Sequence, residues 1–494
     1  MSRHAIRELL DSLDFGRMLP EDYAAYRPLL IDGLSYFLEQ LPEQRLSGIL
    51  MEQFSLGAAC CFTDRLLSLL HQCPTLHKLG QIIARDRRLS IKLRQCLQQL
   101  ESISPNSQLE KLPAHQLQTL QHIPGIKLGR QPLAEASIAV IVPFTWTDKS
   151  QGKTGHGVFK LLKEGVTERL LQELEIWRGL GSFLEERCAY HGLPLLDYRE
   201  TLESMCLLLR QEVCFEQEQQ HLLQASAYYA NEPHILVPRL LPFCTDEITA
   251  MERIDGCKVT DAPIPLQKRN LLADRLLGCM IAKPFWDPAE ETMFHADPHA
   301  GNLFCTRDEK LALLDWTLAG RLQKQQRIDL IQIALGGITQ EAARVCQAIE
   351  HLGQTQADGS RLRNCVDAAL REVRQGHFPG FAWAQRLLDS VALANVMSFP
   401  RNLVLFRKTL LTLSSVVADI AENSSVDQIM LATGVREFFT EAPQRMLAHP
   451  TARTFGTHLS NLDLLALWYT APNSAAAYWL GAWQDCLTLL RGRA

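Results

Sequence analysis

The sequence predicts an α+β protein of two lobes. It is predominantly helical, with a small β-rich N-terminal lobe that carries helical insertions and an N-terminal helical extension. Three observations predict this. One β-rich block, SIAVIVPFTW (137–146) followed by GVFKLLK (157–163), stands after about 125 residues of helical patterning. From about residue 323 onward apolar residues again recur at helical spacing. Between these regions lies a polar stretch, HADPHAGN (295–302), followed by the apolar run LALLDW (311–316).

Taken in order, RPLLIDGLSYFLEQL (27–41) and DRLLSLLHQC (64–73) have one apolar face each and read as helices. A break, SISPNSQ (102–108), separates helical blocks, and IPGIKLGRQP (123–132) reads as a loop. SIAVIVPFTW and GVFKLLK read as two strands joined by the flexible DKSQGKTGHG (148–157). Helical stretches follow at 166–190 and 198–230, then two strand-like runs, ILVPRLL (235–241) and EITAMERI (247–254), the second closed by the turn Asp255-Gly256. KRNLLADRLLGCMIAKPF (268–285) is helical, and a small hairpin is expected around Arg307-Asp308-Glu309. The domains expected are 1–70 (helical), 71–255 (small lobe with its preceding helix), 256–430 (large lobe) and 431–494 (helical extension).

Composition narrows the function. The 494 residues are 47% hydrophobic and 21% charged, so a sizeable core is available. A net charge of −5 argues against a dedicated nucleic-acid binder, whose footprint would be basic. The mixed run at 84–88 reads as a solvated helix face. The 14 cysteines include no C-x-x-C pair, which suggests reduced thiols and a cytoplasmic location. The N-terminus does not read as a signal peptide. No apolar run reaches the roughly 18 residues of a membrane span. AAAYWLGAWQDCLTLL (475–490) comes closest and reads as a buried helix, leaving at most peripheral contact with a membrane.

HADPHAGN carries the chemistry. His295 and His299 are four apart, but Pro298 and Gly301 break the helix a zinc pair would need. The acidic and amide groups have a different pattern. Asp297 and Asn302 form Asp-x-x-x-x-Asn, the spacing of a kinase catalytic loop, in which the Asp takes the acceptor's proton and the Asn holds Mg²⁺. Asp315, at the end of an apolar strand, stands where a kinase bridges Mg²⁺ to phosphates. Phosphoryl transfer spreads negative charge over oxygens, and a hard cation takes oxygen ligands. Lys160, between apolar neighbours on a strand, matches the lysine that holds the α/β-phosphates. Glu252 and Ile254 follow the strand ITAM where a hinge would hold adenine through its backbone.

These residues, with four further segments, resemble the UbiB/ADCK (AarF-like) family of atypical kinases over roughly residues 70–425. Lys78-Leu79-Gly80-Gln81 resembles its KxGQ motif, and PLAEASIA (132–139) its alanine-rich loop. Lys160 with Gly165 resembles the strand lysine and following turn, and Glu212-Val213-Cys214 stands at the E-x-D position, with Glu218 beyond. HADPHAGN is similar to HADPHPGN, and LLDWTLAGRL to LLDFGxxGRL. The resemblance implies a kinase-like fold binding Mg-ATP between its lobes. Ala134, Ala136 and Ser137 would approach the nucleotide, and Glu212 or Glu218 would orient Lys160. Asn302 and Asp315 would hold Mg²⁺, and Asp297 would occupy the base position. Lys78 and Gln81 would lie over the site and restrict access. It further implies ATPase or kinase-like activity tied to quinone or lipid metabolism, with a lipid or isoprenoid-type molecule and protein partners of a biosynthetic complex as candidate partners.

The chain departs from the pattern at four places. Cys214 replaces a carboxylate, Trp316-Thr317 replaces Phe-Gly, Glu135 adds a negative charge to the alanine-rich loop, and the family's C-terminal transmembrane helices have no counterpart. Thr does not take positive φ cheaply, so the turn after Asp315 is expected to differ. Two alternatives follow. Asp-Trp after a strand resembles small-molecule phosphotransferases of the aminoglycoside and choline kinase type, and the departures fit a nucleotide-binding pseudokinase scaffold.

Overall fold

The computed structural model describes residues 6, 10, 19, 21–57, 60–84, 89–101, 114–135, 138–147, 154–193, 198–355, 359–421 and 424–470. Ala136, Ser137, the break at 102–108, the loop at 148–153, most of the charged run at 85–88 and the segment 471–494 lie outside them. The chain divides into two compact units, one of residues up to Gly256 with Thr306–Leu318, the other of Cys257–Cys305 with the residues from Ala319.

The first unit begins with helices α1 (Arg27–Gln40), α2 (Glu43–Ser55), α3 (Phe62–Gln72), α4 (Pro74–Ile83), α5 (Ile91–Gln98) and α6 (Ala114–Gln121). Phe37, Leu50, Leu66, Leu69 and Leu97 share a core with Trp177 of α7 (Val166–Tyr190). Glu173 of α7 is fully buried in this helical layer. It accepts hydrogen bonds from Arg45 and from the backbone N–H and hydroxyl of Thr75, at 2.9 and 2.6 Å. A buried carboxylate needs such partners.

The strands are β1 (Ile126–Leu128), β2 (Ala134–Glu135), β3 (Ala139–Thr147), β4 (Thr154–Leu162), β5 (Ile235–Leu236) and β6 (Ile248–Glu252). An antiparallel sheet runs β1-β3-β4-β6, with β2 also on β3. Alternation puts Val140, Val142, Phe144, Phe159, Leu161, Ile248 and Ala250 into one core. The period of two therefore sends Lys160 to the opposite face, in register with Ile141 and Thr249. The segment expected as a loop at 123–132 contributes β1, because Ile126 and Leu128 pack on this core. ILVPRLL yields only the two-residue β5, since Pro238 has no N–H to give a ladder.

The stretch 198–230 is two helices, α8 (Tyr198–Gln211) and α9 (Phe215–Tyr228). Bonds from Glu212 N–H to Leu209 O and from Cys214 N–H to Gln211 O tighten the end of α8. Burial of Phe215 against Ile138, Leu162 and Val166 redirects the chain. Gly165, at φ +63°, makes the turn into α7 that a side chain would strain.

Strand β7 (Gly256–Lys258) leads into the second unit, which holds α10 (Leu266–Leu277), a π-helical turn at Gly278–Ala282 and α11 (Lys283–Phe285). Strand β8 (Glu291–His295) precedes the loop, and β9 (Leu303–Thr306) leads back to β10 (Leu311–Leu313) of the first unit, which pairs in parallel with β5. Strand β11 (Ala319–Gln323) pairs antiparallel with β8. Helices α12 (Lys324–Thr339), α13 (Ala342–Leu352), α14 (Gly359–Arg374), α15 (Phe381–Leu393), α16 (Arg401–Ile420) and α17 (Val426–Arg445) complete it. The helical reading beyond 323 misses one small ladder, β12 (Gln354–Thr355) with β13 (Met397–Ser398). Among the described residues no helix is long and apolar enough to cross a membrane.

Residues 449–463 are pinned to this unit by buried polar groups. Asp463 accepts from Arg453, Arg344 and Ser460, and the His458 ring sits 2.7 Å from Phe285 O. Burial pushes His458 down to about 4 from an ordinary 6.5. The fold thus keeps it neutral, while the unfolded chain takes up a proton below 6.5. Its contribution is lost as pH falls from 6.5 through 4. Between pH 7 and 5 this loss is about 2 kcal/mol. His458→Asn keeps a residue tolerant of the positive φ found there but removes the titration. Urea unfolding at the two pH values is expected to show a smaller drop in the variant by about that amount. Equal drops would remove the assignment.

Candidate active site

Lys160 of β4 is buried between the sheet and α9. Its ammonium lies 2.7 Å from Glu218 Oε1, 2.9 Å from Asp315 Oδ2 and 3.1 Å from the Thr317 hydroxyl. The Phe215 ring, one turn before Glu218 on α9, lies 5.6 Å from it. Gln219 fixes this helix to β6 through the carbonyls of Thr245 and Ile248. All these groups belong to the first unit.

The charges are strongly coupled. Burial opposes the charge on Lys160, but Asp315 and Glu218 outweigh it and hold the ammonium above the usual lysine range. Burial would likewise raise Asp315. The charge of Lys160 and two hydrogen bonds from Thr317 reverse this and keep the carboxylate ionised well below the usual range. Glu218 is the weaker acid. Burial drives it up to about 7, with Lys160 pulling against and Asp315 adding to the rise. Its second oxygen, Oε2, has no hydrogen-bond partner among the described residues.

Thr317 meets the expectation of an altered turn. It is not among the residues with positive φ. Instead its N–H and hydroxyl both bond Asp315 Oδ1, at 2.9 and 2.6 Å. Trp316 is fully buried, its carbonyl 3.0 Å from His221 Nδ1.

The loop of the second unit is built by its own side chains. His295 Nδ1 accepts from Asp297 N–H at 3.2 Å, and His299 Nδ1 from Gly301 N–H at 3.1 Å. The histidines thus shape the turn. Asn302 donates its amide N–H to Asp297 O at 3.0 Å, which leaves its side-chain oxygen as the acceptor. Asp297 Oδ1 is 2.9 Å from Lys408 of α16, and Oδ2 is 3.7 Å from His299 Nε2.

Glu212, the other candidate partner of Lys160, pairs with Lys78 at 2.8 Å. Lys78 therefore has a carboxylate without one at position 214, where the exposed Cys214 stands. Gln81 donates to Leu100 O at 2.8 Å, bracing its own helix. Gly80 is closely packed, since a Cβ there would meet the end of the Leu100 side chain at 2.7 Å. Ala134 lies opposite Ile141 in the sheet. Glu252 ends β6 and pairs with Arg239 at the surface, its N–H bonded to Arg239 O, and Ile254 follows, half-buried. Sequence reasoning missed Lys408 and the hydroxyl of Thr317.

Sheet, helix and charged set together define a kinase-like α+β protein of two lobes. A family profile described as the ABC1 atypical kinase-like domain matches residues 96–349, a little over half of the chain. The chain belongs to this family of atypical kinase-like proteins. It is 28% identical over 308 residues to a probable protein kinase UbiB of Azotobacter vinelandii, covering 58% of this chain and 54% of that one. It is 26% identical to a probable protein kinase UbiB of Pseudomonas fluorescens, covering 69% and 65%. It is 25% identical to the Arabidopsis thaliana protein Activity of bc1 complex kinase 3, chloroplastic, covering 35% and 24%. The match thus spans between about a quarter and two thirds of the length of these relatives. A solved structure described as the complex of Rv3197 with erythromycin from Mycobacterium tuberculosis has a TM-score of 0.44 at 16% identity, covering 79% of this chain and 97% of that one.

Proposed function

We propose that the protein is an ATP- and Mg²⁺-dependent atypical kinase or ATPase of the UbiB type. The observation that carries this reading is Lys160, a buried ammonium held at once by a helix glutamate and by the aspartate that ends the apolar strand. That ammonium, held in place by the two carboxylates, would meet a nucleotide's phosphates by charge. The oxygens present suit Mg²⁺. Asp315 is kept ionised with a third of its side chain open to solvent, and Asn302 retains its amide oxygen. When bound, Mg²⁺ neutralises phosphate oxygens. Glu218 orients Lys160, and Asp297 would take the proton of an acceptor hydroxyl or water. Water as acceptor gives an ATPase. A lipid or isoprenoid-type alcohol is the acceptor class to test first, at a cytoplasmic or peripheral membrane location and with proteins of a biosynthetic complex as candidate partners. This extension rests on the family resemblance.

Thermal unfolding with and without Mg-ATP tests the reading. At a hundred times its Kd a ligand stabilises the native state by about 2.7 kcal/mol. A metal-dependent stabilisation of that order is expected, and Asp315→Asn should lose it while unfolding as one transition. No stabilisation at millimolar nucleotide, or an undiminished one in the variant, would overturn the assignment.

A further inference from the structure

Helix α16 lies beyond residues 96–349, which the family profile matches, yet two successive residues of it address the loop. The Thr409 hydroxyl, fully buried, donates to His295 O at 3.2 Å, pinning the helix to the end of β8. Lys408 then reaches Asp297 Oδ1 at 2.9 Å. Its side chain is 26% exposed and that of Asp297 15%. The pair is therefore neither a solvated surface bridge nor sealed in a core. The His299 imidazole also lies near this carboxylate, at 3.7 Å.

A carboxylate alone at the base position would repel the phosphoryl group it must help to transfer. A fixed ammonium beside it cancels that charge, so that the pair no longer repels the phosphoryl oxygens on which negative charge builds. The Thr409 anchor means the charge is placed before the reaction and need not be gathered during it.

We infer that Lys408 is a further residue of the phosphoryl-transfer site, holding Asp297 by one oxygen and presenting its ammonium to the phosphate being transferred. The inference rests on the nucleotide reading above. In the step, the bond from the γ-phosphorus to the bridging oxygen of ATP breaks, and a bond to the acceptor oxygen forms. The acceptor's proton goes to Asp297, and ADP leaves with the bond's electrons. Lys408 changes no bond.

The experiment compares the full-length protein with Lys408→Met and Lys408→Arg, measuring Mg-ADP affinity, Mg-ATP turnover and thermal unfolding. Lys408→Met is expected to bind Mg-ADP within about threefold of the parent, while turnover falls on the order of 10²–10³-fold. Lys408→Arg, which keeps the charge, should recover much of the rate. Adding Asp297→Asn to Lys408→Met should cost far less than the product of the two single losses. Parent-like turnover in Lys408→Met overturns the inference alone. So does a loss of rate matched by equal losses of affinity and stability, with no recovery in Lys408→Arg. A parent that neither binds Mg-ADP nor turns over Mg-ATP overturns the underlying reading, and the inference falls with it.

Discussion

Lys160→Met is expected to abolish nucleotide-dependent stabilisation and also to destabilise the nucleotide-free protein by about 3 kcal/mol at pH 8. Both effects come from one ammonium. It is the cation that would meet the phosphates, and in their absence it neutralises Glu218 and Asp315. Removing one partner of a buried ion pair strands the other, which costs far more than the pair contributes. The cost depends on pH, with a definite sign. Glu218 already titrates near 7 in the fold against an ordinary 4.5, so the folded state binds its proton more tightly than the unfolded chain. Loss of Lys160 raises that value further. Stability contributed by this group is present below 4.5 and is lost as pH rises through the folded value. The variant should therefore be closer to the parent at pH 6 than at pH 8, since at pH 6 Glu218 takes a proton. Asp315 keeps its two bonds from Thr317 at either pH. Lys160→Met with Glu218→Gln should recover part of the pH 8 loss, because no buried charge is then left at position 218. Denaturant unfolding of the three proteins at both pH values checks this. A destabilisation independent of pH would refute the coupling.

The chemistry proposed for this site was read from spacing, which phosphoryl transfer constrains. A loop must carry Asp and Asn five apart, and a strand must end in a carboxylate. Lys160 could be read because its apolar neighbours Phe159 and Leu161 mark a strand whose other face it occupies. The choice between Glu212 and Glu218 was not legible. Both stand in EVCFEQEQQH, and only burial of Phe215 ends one helix and starts the next, turning Glu218 to Lys160 and leaving Glu212 to Lys78. Strand β1 was missed because three residues carry too little pattern, and its strand identity comes from its partner β3. The substitution of Thr317 for glycine predicted a changed turn, but not that its hydroxyl would bridge Lys160 and Asp315. Lys408 gave no local signal. A lysine on an amphipathic helix is ordinary, and its partner lies 111 positions away.

Asp297→Asn is expected to lower turnover by roughly 10²–10⁴-fold, the range that a positioned general base contributes. Mg-ADP affinity should stay within a few-fold of the parent. The asymmetry follows from how the loop is held. Asn302 is fixed through the backbone carbonyl of residue 297, and the backbone N–H of that residue is fixed by His295. Neither bond uses the carboxylate, so replacing the side chain by an amide of the same shape should leave Asn302 where it stands. What is lost is the oxygen that can accept a proton and the charge that holds Lys408. An amide oxygen can still accept a hydrogen bond from that ammonium, so the helix and loop should stay together and thermal unfolding should change little. A variant that binds Mg-ADP normally but turns over slowly, with a flattened acid limb in its pH–rate profile, would place the base at Asp297. Parent-like turnover would exclude it. A parallel fall in affinity and rate would instead mean that the carboxylate helps to hold the metal. The base would then have to be sought on the acceptor or in solvent, which favours hydrolysis over transfer to a second substrate.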